Sequence, residues 1–250
     1  MLSGDSRTRE SPVEIILVLQ FHQLVCVLPF LIIAADGFGV NGALLAAIST
    51  IEKRFGFSSK QSGLIIASYD IGYLVSAFPF AWLAKKVSLG ASLGPAGAAI
   101  ATGSALYFLP HFGTPNAPIL GSEDYEPNLC ELTTGRETGQ ATNREAESNW
   151  LACFIIAGIL TGMGTSVLWT RGATAAEDQT NERKGGVNMS ILNGASVAGP
   201  LLGLFISVFV LGLWTDLSEH SSVDLEPSDP NWIGAWWLPF FIQFFLLCFA

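Results

Sequence analysis

Six apolar runs, each about as long as a membrane-spanning helix, alternate with polar segments along the chain. An α-helix rises about 1.5 Å per residue, so about 20 apolar residues cross the roughly 30 Å of hydrocarbon in a bilayer. The core of a soluble protein would not separate its apolar residues into runs of this length. The pattern therefore predicts an all-α membrane protein with spans at about residues 29–51, 62–83, 88–107, 150–169, 188–213 and 233–250.

The polar segments between these runs divide the chain into regions. A polar N-terminal tail is followed by a surplus apolar segment, residues 15–28, which fits an interfacial helix, a re-entrant piece or a part that the mature protein lacks. Helices 1 to 3, an acidic extracellular loop, helices 4 and 5, a second extracellular loop and the truncated start of helix 6 come next. With the tail and surplus segment first, the predicted regions are residues 1–28, 29–112, 113–149, 150–213, 214–232 and 233–250.

Charge is scarce and mostly acidic. Charged residues make up 13% of the chain and hydrophobic residues 50%, against about 25% charged in a typical soluble domain. The formal net charge is -9, and no cluster of Lys and Arg is present to bind phosphates, which argues against nucleic acid as a partner. Slightly more Lys and Arg lie in the segments assigned to the inside, which predicts a cytosolic N-terminus.

Sequence motifs for catalysis or metal binding are absent. No phosphate-binding loop, metal-ligand spacing or nucleophile with a neighbouring base occurs, so we predict no enzyme activity, no catalytic residue, no metal and no cofactor. Three of the four cysteines, Cys26, Cys153 and Cys248, lie in apolar runs and are expected to be small buried hydrophobes. Cys130 lies in the long polar loop, where a disulfide can form if the loop is extracellular, although no second loop cysteine is present.

Three tryptophans, Trp232, Trp236 and Trp237, lie within six residues just before the last apolar run. Tryptophan prefers the boundary between water and lipid, so this stretch indicates a membrane entry point, and a generic aromatic belt explains it equally well. The wider segment D-P-N-W-I-G-A-W-W, residues 229–237, resembles the signature of the organic anion transporting polypeptide family, in which a similar run opens the sixth span. The signature positions are Asp229, Trp232, Gly234, Ala235, Trp236 and Trp237.

Further short matches to this family occur in the family's order, at residues 49–55, 68–72, 109–112, 162–164 and 199–203. The resemblance implies the major facilitator fold, twelve helices in two six-helix halves, of which this chain is the N-terminal half. It implies a plasma-membrane transporter that carries large amphipathic organic anions, such as steroid conjugates, bile salts, prostaglandins and thyroid hormones, without sodium and by alternating access. The implied partners are these organic anion substrates, the lipid bilayer and a missing C-terminal six-helix half.

Two positions depart from the family signature. Asn231 stands where the family usually has Arg, and Pro239 stands where it usually has Gly. A cation is therefore lost at the predicted mouth of the pathway. This loss puts in doubt any role of position 231 in attracting anions.

The predicted substrate pathway contains Asn41, Lys53, Arg54, Tyr69, Asp70, His111, Trp232, Trp236 and Trp237. Asp70 is the most informative of these, because an acid at mid-span costs about 2.5 to 3.5 kcal/mol on insertion scales. It either lines a water-filled cavity or makes an interhelical hydrogen bond, and Tyr69 offers its hydroxyl to either role. The place of Asp36 is ambiguous, because its depth depends on where the first helix begins.

His111 and the two cations after the first span have two interpretations each. For His111, the resemblance suggests a pH-sensitive position facing outside, and a satisfied interfacial histidine fits as well. Lys53 and Arg54 are the cations nearest to the predicted entrance, where they either attract anions or form a solvated loop pair. Gly158 and Gly162, one turn apart in the fourth run, are expected to serve helix packing.

Two other functions stay open at this point. The first is a non-transporting membrane adaptor or regulatory fragment that binds a partner through its small-residue faces. The second is a major facilitator carrier of a neutral or cationic substrate, which the acidic loops and the missing arginine would fit.

Overall fold

The computed structural model describes five stretches of the chain and confirms the all-α fold class. Within these stretches the β pairing is limited to one isolated bridge, between Trp214 and Gly234. The predictions for residues 1–28, Cys130, Asp229 and Asn231 lie outside the described residues. The described stretches are residues 30–83, 86–114, 137–178, 182–215 and 232–249.

Six helices account for most of the described residues. The first helix, α1 (Phe30–Phe55), is π-helical over its glycine-rich middle, Gly37–Leu44. It is capped at its C-terminal end by Gly56, whose φ of 67° lies in the left-handed region that favours glycine. Four stretches are long and apolar enough to cross a membrane, namely Phe30–Phe55, Ser59–Leu83, Asn149–Thr174 and Gly186–Leu211. The helices are α1 Phe30–Phe55, α2 Ser59–Leu83, α3 Leu89–Gly113, α4 Glu137–Asp178, α5 Glu182–Leu211 and α6 Leu238–Phe249.

The helices pack in two main groups, one of α2, α3, α4 and α6 and the other of α1 and α5. Helix α4 lies against both α2 and α3, α5 lies against the π-helical part of α1, and α6 lies against α3. Two buried apolar clusters fill the spaces between them. One cluster, near the C-terminal ends of α1 and α3, centres on Phe55, Phe154 and Trp236. The other, near the opposite ends of these helices, includes Ile32, Ile100 and Leu168.

Glycines allow α4 to approach α2 closely. A Cβ atom at Gly72 would lie 2.8 Å from the Cα of Ile159, and one at Gly162 would lie 2.8 Å from the backbone nitrogen of Tyr73. A Cβ at Gly158 would clash with the side chain of Ser68. These distances are shorter than real side chains tolerate, so the two backbones can meet only where Cβ atoms are missing. This agrees with the packing role predicted for Gly158 and Gly162.

A second close contact joins α1 to α5. A Cβ atom at Gly42 would lie 2.7 Å from both the Cα of Gly203 and the carbonyl oxygen of Pro200. A Cβ at Gly199 would lie 3.1 Å from the Cα of Ala34. The π-helical segment of α1 thus packs directly on the Gly-Pro segment of α5. In lipid, where apolar surface gains little by burial against protein, such backbone contacts supply much of the association.

The structure corrects four predicted helix boundaries. Helix α4 begins at Glu137, within the predicted 113–149 loop, and ends at Asp178, whereas its predicted span ends at residue 169. Helix α5 begins at Glu182, whereas its predicted span begins at residue 188. Both polar stretches contain good helix formers such as Glu, Gln, Arg and Ala, and extending an existing helix is much easier than nucleating one. The sixth helix begins at Leu238 rather than at residue 233, because the residues before it form the bridge and a turn.

Substitution of Gly72 by alanine tests the contact between α2 and α4. We expect Gly72→Ala to lower the free energy of unfolding by about 1 to 3 kcal/mol, because the new methyl group overlaps the backbone of Ile159. The measurement is thermal unfolding of the purified protein in detergent, followed by tryptophan fluorescence.

Gly63, in the same helix, is the matched control. No atom lies within 4 Å of a Cβ built there, so Gly63→Ala should leave stability unchanged or raise it by up to about 1 kcal/mol through helix propensity. Equal melting temperatures for the two variants would contradict the packing of α2 on α4.

Candidate transport site

A buried carboxylate, Asp36, joins three helices. It lies in α1 just before the π-helical segment, with 3% of its surface exposed. The hydroxyl of Thr165 in α4 lies 2.8 Å from its Oδ1, and the hydroxyl of Tyr69 in α2 donates to its Oδ2 at 3.3 Å. The Thr165 hydroxyl is also 2.8 Å from the carbonyl oxygen of Thr161, so these two acceptors share its single proton. We call Asp36, Tyr69 and Thr165 the polar junction.

The polar junction includes one predicted residue, Tyr69, and two that sequence reasoning did not select. The sequence leaves the depth of Asp36 ambiguous, and the position of an acid in the first apolar run is the signal that this residue is unusual. Thr165 gave no signal, because a threonine in an apolar helix is common and usually bonds to its own backbone. The junction holds a carboxyl group inside the helix bundle through neutral hydroxyl donors, where an uncompensated charge would be costly.

Asp70 lies on a different face of α2 from Tyr69. Its side chain is exposed on the described bundle, next to Ile71, which is 49% exposed, and it makes no hydrogen bond to another described residue. The interhelical hydrogen bond that was one predicted role is therefore not formed within the described part of this half. Asp70 is the twelfth of the 25 residues of α2, so it is near the middle of the helix. The cavity-lining role stays a prediction.

The cations at the end of α1 differ from each other in their surroundings. Lys53 is exposed, whereas Arg54 is partly buried and its Nη2 donates to the carbonyl oxygen of Thr114, 2.8 Å away. Because Thr114 follows the last residue of α3, this bond ties the C-terminal ends of α1 and α3 together. Asn41, the predicted pathway residue in the π-helical segment of α1, is exposed, although the residues on either side of it are buried.

The three signature tryptophans are buried inside the protein, which corrects the aromatic-belt interpretation. Trp232 is 8% exposed, Trp236 0% and Trp237 9%. The ring of Trp236 meets those of Phe55 and Phe154 at centroid distances of 5.6 and 6.0 Å. Rings packed in this way have little surface left for lipid, and they contribute to the packing of the core.

The indole groups also hold the chain that precedes α6. The Nε1 of Trp232 donates to the carbonyl oxygen of Leu211 at 2.9 Å, and the Nε1 of Trp237 donates to that of Thr215 at 3.0 Å. At Gly234, a Cβ would lie 2.8 Å from the Cα of Leu211, so this signature glycine lets the two segments meet. The buried Ala235 lies in the same turn. The signature therefore fastens the start of α6 to the end of α5.

His111 stacks on one of these tryptophans. Its ring lies 4.5 Å from that of Trp237 with an interplanar angle of 12°, and it meets the edge of Phe112 at 5.1 Å. The structure thus brings His111, Trp236 and Trp237 together near the end of α1 that carries Arg54. Asp70 is on the exposed surface of α2 instead. Within the described residues no group of three or more His, Cys, Asp and Glu could hold a metal ion.

Removing the hydroxyl of Thr165 tests the polar junction. We expect Thr165→Val to lower the free energy of unfolding by about 1 to 3 kcal/mol, because the buried carboxyl group of Asp36 loses a donor. Thr102→Val is the control, since the Thr102 hydroxyl is exposed and bonds only to Ala98 in its own helix. Thermal unfolding of the purified protein measures both, and equal changes would show that the junction adds no stability.

Truncation of Trp236 tests whether it supports packing or lines the pathway. We expect Trp236→Ala to lower the free energy of unfolding by about 3 to 5 kcal/mol, because it leaves a large cavity between Phe55 and Phe154. Trp82, which is 65% exposed, is the control. Its replacement by alanine removes a cation–π contact with Lys86 and should change stability by less than about 1 kcal/mol. A Trp236→Ala protein with unchanged melting but lost substrate uptake would show instead that Trp236 lines the pathway.

Comparison with known proteins places this sequence in a family. The model of the Organic Anion Transporter Polypeptide (OATP) family matches residues 23–250. Human solute carrier organic anion transporter family member 4C1 is 30% identical over 215 residues, which cover 85% of this chain and 29% of that protein. The mouse members 4A1 and 2B1 are each 28% identical, over 220 and 226 residues, covering 88% and 84% of this chain and 30% and 33% of those proteins.

These matches have two consequences. The chain spans about three tenths of the length of the relatives it matches, and the matches support its assignment to the N-terminal half of the family, as the order of the sequence motifs predicted. The family match includes all six described helices and the tryptophan signature. The chain belongs to the organic anion transporter polypeptide family.

Proposed function

We propose that this chain is the N-terminal half of a transporter of large amphipathic organic anions that works by alternating access. Family membership supports the transported class, since the matched relatives are named organic anion transporters. In this proposal the substrate passes between the described half and a second six-helix half, without coupling to sodium. The protein is in the plasma membrane, its N-terminus faces the cytosol, and the chain carries no catalytic function.

The observation that carries the proposal is the exposure of Asp70 at the middle of α2. A carboxylate facing lipid at this depth would cost about 2.5 to 3.5 kcal/mol. The described helices offer it no hydrogen-bond partner, so its surroundings must come from water or from another part of the transporter. A water-filled pathway between two halves supplies both, and we therefore assign Asp70 to the pathway wall.

Exposed apolar side chains support a second half as well. Helices α2 and α5 each present a large apolar face outside the described bundle, whereas the Phe30–Phe55 span is mostly buried in it. Such faces suit lipid or another set of helices, and a mid-span acid among them favours helices around a polar path. The faces contain Leu74, Val75 and Phe78 in α2 and Val197, Leu201, Phe205 and Val208 in α5.

Uptake measurements test this function. Cells that express the native protein should take up a labelled steroid sulfate with saturable kinetics that do not change when sodium is replaced by choline. An Asp70→Leu variant should reach the cell surface in normal amounts yet transport at least tenfold more slowly, because the polar wall of the pathway is lost. Asp70→Glu, which keeps the carboxylate, should retain most of the activity.

Three results would contradict the proposal in different ways. No uptake above that of untransfected cells, with normal surface expression, would favour a membrane adaptor. Uptake of a neutral or cationic compound that organic anions do not inhibit would favour a carrier of another class. Full uptake by the Asp70→Leu variant would remove Asp70 from the pathway.

A further inference from the structure

The polar junction has one proton too few for its contacts when Asp36 is ionised. The hydroxyl of Tyr69 lies 3.3 Å from Oδ2 of Asp36, and the hydroxyl of Thr165 lies 2.8 Å from Oδ1. The Thr165 hydroxyl is also 2.8 Å from the carbonyl oxygen of Thr161. A hydroxyl carries one proton, so Tyr69 and Thr165 supply two protons for these three contacts. The third proton can only be on Asp36.

A protonated Asp36 satisfies all three contacts. Its Oδ1 donates to the hydroxyl oxygen of Thr165, Thr165 donates to the carbonyl oxygen of Thr161, and Tyr69 donates to Oδ2. No proton is then shared, and the bonds run in one direction from the acid to the backbone. Removal of the Thr165 hydroxyl takes away the partner of Oδ1 in either form, so the destabilisation expected for Thr165→Val does not depend on the proton.

The position of Asp36 also disfavours a charge. It is the seventh of the 26 residues in the span Phe30–Phe55, about 9 Å from the start of that span, and 3% of its surface is exposed. Among the residues that the structure describes, no Lys, Arg or His forms an ion pair with it. A carboxylate buried without a cation is costly, whereas a neutral acid with hydrogen-bond partners is not.

The described groups that the other helices bring to this part of α1 are neutral. Helices α2 and α4 contribute the two hydroxyl groups of the junction, and Asp70 is on another face of α2. The guanidinium group of Arg171, six residues after Thr165 in α4, donates to Ser92 and Val87. The other uncharged residues packed near Asp36 are Gly199 and Pro200 of α5, which meet Ala34 and Gly37, and Gln243 of α6, which meets Gly39. The remaining titratable group nearby is Tyr107 of α3, which is buried and neutral at neutral pH.

We propose that the polar junction is a proton-binding site, in which Asp36 holds a proton and donates a hydrogen bond to Thr165. The neutral acid allows α1 to close on α2 and α4. The proton leaves only when the junction opens to water, because a carboxylate needs hydration or a cation that the closed junction does not offer. Proton binding is therefore linked to the closed packing of three helices. The site rests on the fold of this half and is independent of the proposed transport function.

Infrared difference spectroscopy of the purified native protein at neutral pH tests directly whether Asp36 carries a proton. Subtraction of the Asp36→Asn spectrum from that of the native protein should leave the carbonyl stretch of a carboxylic acid, which moves to lower frequency in deuterated water. Glu52→Gln is the control in the same helix, because Glu52 is partly exposed beside the exposed Lys53, and it should leave carboxylate bands only. Carboxylate bands from Asp36 would overturn the proposal.

Thermal unfolding tests the link between the proton and the packing. An aspartate in an unfolded chain loses its proton near pH 4, so between about pH 5 and pH 7 the folded protein binds one proton more than the unfolded chain. Stability then falls as the pH rises. The melting temperature of the native protein should fall relative to that of Asp36→Asn, whose amide still donates to Thr165 but cannot ionise, and Glu52→Gln should follow the native protein. A constant difference between the native protein and Asp36→Asn over this range would contradict the site.

Tyr69→Phe decides the question if Asp36→Asn does not fold. This variant removes the hydroxyl that donates to Oδ2, which is the carbonyl oxygen of the proposed acid. The carbonyl stretch of the acid should therefore move to higher frequency. Tyr73→Phe is the control, since Tyr73 lies one turn further along α2 and makes no hydrogen bond to Asp36, and it should leave the stretch in place. A change in Tyr69→Phe that is confined to carboxylate bands would show that Asp36 is ionised.

Discussion

Close backbone contact between helices is the constraint on which this structure depends. Inside a bilayer, lipid is as apolar as the helix surfaces, so helices associate through dispersion contacts and hydrogen bonds that require short distances. Glycines provide these distances in two places, at Gly72 and Gly162 between α2 and α4 and at Gly42 and Gly203 between α1 and α5. Each contact fixes the rotation of its helices, and so decides which side chains face inward.

The polar residues follow from that rotation. With α2 held against α4, Tyr69 points to Asp36 and Thr165, while its neighbour Asp70 points outward. Helix α2 therefore presents Tyr69 to the interior of the described half and Asp70 to the surface that we propose faces the second half. The signature tryptophans have a separate role. Trp232 and Trp237 bond to the end of α5 and so hold the start of α6 against it, and Trp236 packs into the aromatic cluster around Phe55.

Sequence patterns predicted the helices well and the surroundings of side chains less well. Apolar runs of about 20 residues specify membrane spans directly, which is why the all-α class was correct. The helical start of α4 was missed because polar residues with good helix propensity show no apolar periodicity. The burial of Trp236 was missed because tryptophan suits both an interface and a core, and only the positions of Phe55 and Phe154 distinguish the two. The hydrogen bonds of Asp36 depend on how three helices pack together, and the sequence of no single segment specifies that packing.

The central claim is that the substrate path runs along the exposed face of α2 and not through its packed face. Labelling of single cysteines by a charged, membrane-impermeant thiol reagent tests it most directly, in the native protein after its own cysteines are replaced. Asp70→Cys should react, and an organic anion substrate should slow the reaction, while Ile65→Cys on the fully buried side of the same helix should not react. An unreactive Asp70→Cys in a protein that still transports would place that face against lipid and contradict the account.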